Sequence, residues 1–217
     1  MTLDHLHPSL AQTVESMADD TVDIAQARQS ELNDVALWVA DMLADSGHVD
    51  LTFICTHNSR RSHLAQVWAQ VGAEVSGLQG VRTYSGGTEA TACNPRTVAA
   101  MRRAGFQVAV QDTARGATNP TYDVSMGKDL PGMACFSKTY TDEANPQQGF
   151  GAVMTCSSAD RGCPLVYGAD ARFAIPYIDP KVSDGTAAEA ATYDARLEQI
   201  GTEMLYLMGQ VAARVTR

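Results

Sequence analysis

Leu51-Thr-Phe-Ile-Cys-Thr-His-Asn-Ser-Arg-Arg-Ser62 is the stretch on which the fold turns. Its first part, ending at Cys55, is a short apolar and β-branched run, the pattern of a buried strand. From Arg61 the period changes: Leu64, Val67, Trp68 and Val71 recur at helical spacing to about residue 75. Only residues 56–60 connect the two. A loop that short, leading into a helix N-terminus, aims several backbone N–H groups at one point, and a tetrahedral oxyanion fits there. The helix dipole and the Arg61 guanidinium favour the Cys55 thiolate. Arg61 can grip two equatorial oxygens of a trigonal-bipyramidal transition state. Ser62 can donate a hydrogen bond to the sulfur, and Asn58 tolerates the left-handed backbone that so tight a loop needs. Cys55, Arg61 and Ser62 are therefore candidate catalytic residues, and Thr56, His57, Asn58, Ser59 and Arg60 the candidate oxyanion-binding loop.

Upstream, Pro8-Ser9 opens a short helix, and a longer one is expected over residues 21–45. It presents Leu32, Val35, Ala36, Val39 and Leu43 on one face and ends before Gly47. Downstream, 81–85 reads as a second strand. Asn94-Pro95 is a cap with proline at the first helical position, and Gly105 closes that helix. Residues 106–110 suggest a short strand, and 111–132, rich in Gly, Pro, Asp, Thr and Asn, a long loop or inserted hairpin. Further short buried strands are expected at 133–137, 151–155 and 171–177. Thr186-x-x-Glu189 is a capping box for a last helix with Tyr193, Leu197, Ile200, Met204, Leu207, Val211 and Val215 as its apolar stripe. Strands alternating with helices imply a parallel sheet covered on both faces, with ligands at the carboxyl ends of the strands.

The chain has 217 residues, enough to bury a core, with 45% hydrophobic and 19% charged residues. That composition excludes a disordered chain and a small disulfide scaffold. The net charge is −9, and all of it lies in residues 1–50, which carry ten acids against Arg28 alone. Non-specific binding to nucleic acid or to an anionic membrane is excluded on that ground. The start of the sequence has no basic stretch leading into an apolar one, so no signal peptide is expected, nor any transmembrane helix. The expected compartment is the cytoplasm. There, five cysteines are read as metal-binding, catalytic or buried thiols.

The stretch 53–62 resembles the phosphate-binding loop of low-molecular-weight protein tyrosine phosphatases and thioredoxin-coupled arsenate reductases. The resemblance continues in Tyr84-Ser-Gly-Gly-Thr88, Asn94-Pro95, Val153-Met-Thr-Cys156 and Ile178-Asp179-Pro180, and covers about residues 51–215. It implies an α/β fold, a four-stranded parallel sheet flanked by helices, occupying residues 49–217. Residues 1–48 are expected to be an added acidic helical extension, and 111–132 to hold an insertion. Asp179 matches the family's general acid, which protonates the leaving group and then activates water. Two positions depart from the pattern. His57 replaces a glycine and can serve as an extra donor at the mouth. Arg60 replaces a second loop cysteine and adds positive potential. The reductase branch also holds a structural cation through Asn58, Ser85 and an acidic helix residue. Gln66 stands at that helix position, so no metal is assigned.

Cys156-Ser-Ser-Ala-Asp-Arg-Gly-Cys163-Pro164 is similar to the reductase branch, where two further cysteines have this spacing. The resemblance implies a relay: Cys55 attacks arsenate, Cys156 attacks Cys55, and Cys163 resolves the disulfide. No cofactor is bound, and an external thioredoxin-like dithiol supplies the electrons. The segment between Cys156 and Cys163 must unwind for them to pair, which Gly162 and Pro164 ease. A zinc site at this pair lacks a second ligand pair. Cys93 and Cys135 read as buried structural thiols. The alternative activity is hydrolysis of phosphomonoesters, phosphotyrosine among them, through a phosphocysteine at Cys55. No aromatic residue follows Asp179-Pro180 to line a tyrosine slot. A pure phospho-ligand binder has no need of a nucleophile and an acid. The partners are therefore a small oxyanion (arsenate, phosphate) or a phosphotyrosine substrate, with thioredoxin for a reductase. Covering the site rim, padding the sheet and forming a homodimer surface are all open for residues 1–50.

Overall fold

The computed structural model describes residues 2–112, 118–163 and 165–215. Pro164 and part of the 111–132 stretch lie outside the described residues. The chain opens with helices α1 (Pro8–Asp20) and α2 (Gln26–Ser46). The first is longer than the short helix expected. The second starts late, because Thr21–Asp23 forms a 3₁₀ turn and Ile24 is extended at φ −63°, ψ 123°. It ends at Gly47 in the left-handed conformation, φ 74°. Then come β1 (Val49–Cys55), α3 (Arg61–Val75), β2 (Val81–Gly87) and α4 (Pro95–Arg103), the last capped by Asn94 as its sequence indicates. β3 (Gln107–Asp112), β4 (Thr121–Ser125), β5 (Met133–Cys135), β6 (Phe150–Met154), α5 (Ser157–Gly162) and β7 (Ala169–Ala174) follow. A 3₁₀ turn, Pro180–Ser183, precedes the long α6 (Glu189–Val215).

Four strands form one parallel sheet in the order β2-β1-β6-β7. Period-2 alternation sends Leu51, Phe53 and Val153 into the main core with α2, α3 and α6, and Ile54, Ala152 and Met154 into a smaller cluster with Ala159 of α5. Helices therefore cover both faces, as parallel sheets require. Two strands expected from the sequence stand apart: β3, β4 and β5 make a separate antiparallel sheet. The strand expected at 106–110 is β3, and of the 111–132 stretch, read as a long loop or inserted hairpin, the described residues form the end of β3 and all of β4. The capping box at Thr186 is displaced: the Glu189 carboxylate accepts from the Gly185 N–H at 2.6 Å, and Thr186 Oγ1 from the Ala188 N–H at 3.3 Å. The α6 stripe is buried from Tyr193 to Val211, whereas Val215, expected in the same stripe, is 48% exposed.

The N-terminal helices belong to the main core. Leu10, Val14 and Met17 of α1 and Leu32, Val35 and Val39 of α2 share one buried cluster with Trp68 and Leu207. Between α3 and β2 runs a polar seam, with Thr83 Oγ1 donating to the Gln66 carbonyl at 3.0 Å and His63 Nδ1 3.1 Å from Ser85 Oγ. Burial, and secondly the charge of Lys138, lower the His63 pKa to about 3. The folded state thus holds this imidazole neutral.

Leu32→Ala is expected to cost about 2–5 kcal/mol in urea unfolding, the range for a buried leucine. A loss well under that would show that the extension does not share the core. For His63, the folded pKa lies below the ordinary 6.5. The unfolded chain therefore binds more protons between those two values, and stability falls as pH drops through that window, by up to about 1.4 kcal/mol per unit. His63→Gln should flatten that part of the pH–stability curve, and an unchanged slope in urea midpoints would contradict it.

Candidate active site

All four strands of the parallel sheet deliver residues to one end. Cys55 closes β1, Thr88 follows β2, Cys156 follows β6, and Asp179 follows β7. The 56–60 loop is held from outside by its carbonyls. Those of Cys55 and Thr56 accept from the Thr88 and Glu89 N–H groups at 3.1 and 2.8 Å, and that of His57 from Ser137 Oγ at 2.8 Å. Those of Ser59 and Arg60 accept from the Asn94 and Leu64 N–H groups at 3.0 and 3.1 Å. In a planar trans peptide, the C=O and the following N–H point opposite ways. The amides of Thr56, His57, Asn58, Arg60 and Arg61 therefore face the concave side. Among the described residues they donate to no protein acceptor. Asn58 makes the bend at φ 43°, the one non-glycine residue with positive φ among those described.

Cys55 Sγ lies 3.1 Å from Ser62 Oγ. Asn58 Nδ2 donates to that same hydroxyl oxygen at 2.9 Å, which leaves the hydroxyl proton for the sulfur. Asn58 Oδ1 in turn accepts from the Lys138 N–H at 3.0 Å, so the loop is locked from behind. Arg61 donates to Asp179 Oδ2 at 2.6 Å and to the Tyr177 carbonyl at 2.9 Å. Asp179 Oδ1 accepts from the Lys181 N–H at 3.1 Å, so it also caps the 3₁₀ turn that aims it. Arg60, expected to raise the potential of the site, folds sideways. Its Nε donates to Tyr193 Oη at 2.8 Å, with Asp179 at 3.8 Å and Asp184 at 3.6 Å. Two carboxylates offset its charge. His57 stands at the mouth, half exposed, 3.5 Å from Glu89.

Cys156 is buried at the N-cap of α5. Its Sγ accepts from the Ala159 N–H at 3.3 Å and lies 3.5 Å from Thr56 Oγ1. It shares an apolar cluster with Cys55, and Cys163 packs against that cluster. Cys163 is at the other end of α5, partly exposed. Arg172 pins the helix by donating to the Asp160 carbonyl and carboxylate, both at 2.7 Å, and to the Cys163 carbonyl at 3.2 Å. Cys93 and Cys135 are also buried. Burial pushes the Cys135 thiol up to about 12 and that of Cys93 well above the usual thiol range, so both stay protonated and are poor nucleophiles.

The residues beside the loop do not fit a structural cation. Asn58 Oδ1 and Ser85 Oγ are engaged as above, Gln66 is uncharged, and the buried Lys138 places a positive charge near His63. Among the described residues, no three His, Cys, Asp or Glu side chains cluster to hold a metal ion. Nor, among them, is any helix long and apolar enough to cross a membrane. Sequence reading missed the Thr88, Glu89 and Ser137 hydrogen bonds and the Arg172 clamp. None has a local signature, since each partner is distant in the chain.

Residues 50–124 match the family described as low molecular weight phosphotyrosine protein phosphatase. Arsenate reductase 2 of Staphylococcus epidermidis is 30% identical over 114 residues, 52% of this chain and 65% of that protein. An arsenate reductase of Bacillus licheniformis is 43% identical over 61 residues, 27% of this chain and 40% of that one. The chain thus spans less than two thirds of the length of these curated relatives. The low-molecular-weight protein tyrosine phosphatase from T. tengcongensis superposes with a TM-score of 0.50 at 16% identity, covering 73% of this chain and 97% of that one. At that identity the likeness is one of fold. The oxyanion loop between β1 and α3 lies within the matched residues 50–124, and the four-stranded sheet around it has the fold of the T. tengcongensis phosphatase.

Proposed function

We propose that the protein reduces arsenate to arsenite by a three-thiol relay. The observation that carries this reading is the position of the Cys156 thiol, which is 3.5 Å from the hydroxyl of Thr56 and in the same buried cluster as Cys55. Arsenate binds the inward amides and Arg61. The Cys55 thiolate bonds to arsenic, and the displaced oxygen leaves as water, protonated by Asp179. Cys156, as thiolate, then attacks Cys55 Sγ. The sulfur–arsenic pair stays on arsenic, which goes from As(V) to As(III) and departs as arsenite, leaving a Cys55–Cys156 disulfide. Cys163 attacks Cys156 and frees Cys55. A thioredoxin-like dithiol reduces the Cys156–Cys163 bond and takes over its oxidation.

The last exchange requires movement. Seven helical steps of ~1.5 Å separate the two alpha carbons by about 10 Å, beyond the roughly 7 Å that a disulfide spans. α5 must unwind, and it is a weak helix, with Ala159 its one buried residue. Release of the Arg172 clamp is part of that step.

A second reading, phosphomonoester hydrolysis through a phosphocysteine, is favoured by the Asp179 carboxylate standing 2.6 Å from Arg61 at the loop mouth. Arsenate and phosphate are near-isosteric, so one site serves both. The soluble, cytoplasmic setting that a thioredoxin-like donor requires is part of this proposal.

With thioredoxin, thioredoxin reductase and NADPH, arsenate should drive steady NADPH oxidation. Its absence alongside brisk hydrolysis of p-nitrophenyl phosphate would leave the phosphatase reading. Cys163→Ser is expected to stop multiple turnover of arsenate and leave hydrolysis unchanged. Equal loss of both would contradict the relay.

A further inference from the structure

We infer that Arg28, on the N-terminal helix α2, is a positioning residue that keeps Asp179 aimed at the leaving group once Arg61 has turned to the substrate. The inference rests on the reading of Asp179 as the proton donor of the site.

Asp179 is carried by the extended segment 175–179 after β7, in which Ile175 and Tyr177 are buried in the main core and Ile178 is 69% exposed. The segment is tied to the sheet by the Ile175 and Tyr177 N–H groups, which donate to the Met154 and Thr155 carbonyls at 3.0 and 3.1 Å. From the loop side, Arg61 holds the Tyr177 carbonyl and the Asp179 carboxylate. From the opposite side comes Arg28. Its Nη2 donates to the Pro176 carbonyl at 2.9 Å, and its guanidinium lies 4.8 Å from the centre of the Tyr177 ring. The guanidinium is fixed in turn by Glu203 of α6 at 2.9 Å and by Glu31 at 2.7 Å. Its side chain is only 16% exposed, and every nitrogen of the planar fork has a partner.

An oxyanion in the loop competes for the Arg61 guanidinium. A bidentate grip on two oxygens takes at least one of the Nη atoms that now hold Tyr177 and Asp179, alongside the unpartnered Nε. At that moment the loop side gives up part of its hold on the segment. Arg28 touches nothing that the substrate displaces, so its bond to Pro176 and its contact with Tyr177 persist. This gives the extension a task for which its own sequence offers no motif: a fixed brace behind the acid.

The test separates aim from folding. Phenyl phosphate has a poor leaving group that needs a proton, and p-nitrophenyl phosphate a good one that does not. Arg28→Ala should lower kcat on phenyl phosphate about tenfold, part of the 10²–10⁴-fold that a general acid contributes. It should affect p-nitrophenyl phosphate much less and leave KM unchanged. Arg28→Lys should recover part of the loss. Asn33→Ala is the control, since Asn33 ties α2 to Tyr206 of α6 at 3.1 Å without touching the segment. It should show no leaving-group dependence. Hydrogen exchange supplies a readout free of turnover: the amides of 175 and 177–179 should exchange faster in Arg28→Ala and not in Asn33→Ala. Equal losses on both esters, or unchanged exchange in that segment, would overturn the brace. A separate arm, Asp179→Asn, tests the underlying reading. If it shows no leaving-group dependence, Asp179 is not the donor and the brace falls with it.

Discussion

The outward hydrogen bonding of the Cys55 carbonyl and four loop carbonyls is the constraint on which the rest depends. Peptide planarity converts it into inward amides, and those amides make an anion site without spending a side chain. The donors come from the end of β2, the cap of α4, the first turn of α3 and Ser137, so the sheet order and the placing of α4 are prerequisites of the site. Asn58 concentrates the requirement in one residue. It takes the left-handed bend, orients Ser62 toward Cys55 and ties the loop to Lys138. The neutral, buried His63 beneath the loop belongs to the same scaffold.

Above that rigid floor, the structure keeps its movable parts weakly held. α5 is short and anchored by a single buried side chain and by Arg172. A helix that had to unwind in each cycle would be drawn from such low-stability elements. The segment carrying Asp179 is the opposite case: it is gripped from two sides, by Arg61 and by Arg28. The chemistry proposed for the two regions differs in the same way, with sulfurs that must approach one another in one and a proton that must be delivered to one point in the other.

Much of this was legible in the chain where the signal is local. The change of period at Arg61, the cap at Asn94, the turn glycine at 47 and the bend at Asn58 each follow from residue chemistry within a few positions, and all appear where expected. What was hidden depends on distant partners. Arg60 was expected to add positive potential near the site, but Tyr193 and Asp184, from a helix and a turn far along the chain, draw it aside. The strands of the second sheet carry the same apolar signature as those of the first, and only pairing tells them apart. Thr56 and Cys156 meet across a hundred residues, and Arg28 reaches Pro176 across more.

The central claim is that Cys156 is the thiol that attacks Cys55. The most direct measurement is peptide mapping by mass spectrometry of the Cys163→Ser protein, reduced, freed of reductant, treated with arsenate and then alkylated. The account predicts a disulfide-linked pair of peptides containing Cys55 and Cys156, formed together with one arsenite, while Cys93 and Cys135 remain as thiols. A Cys55 that stays free, or one joined to Cys93 or Cys135, would contradict it.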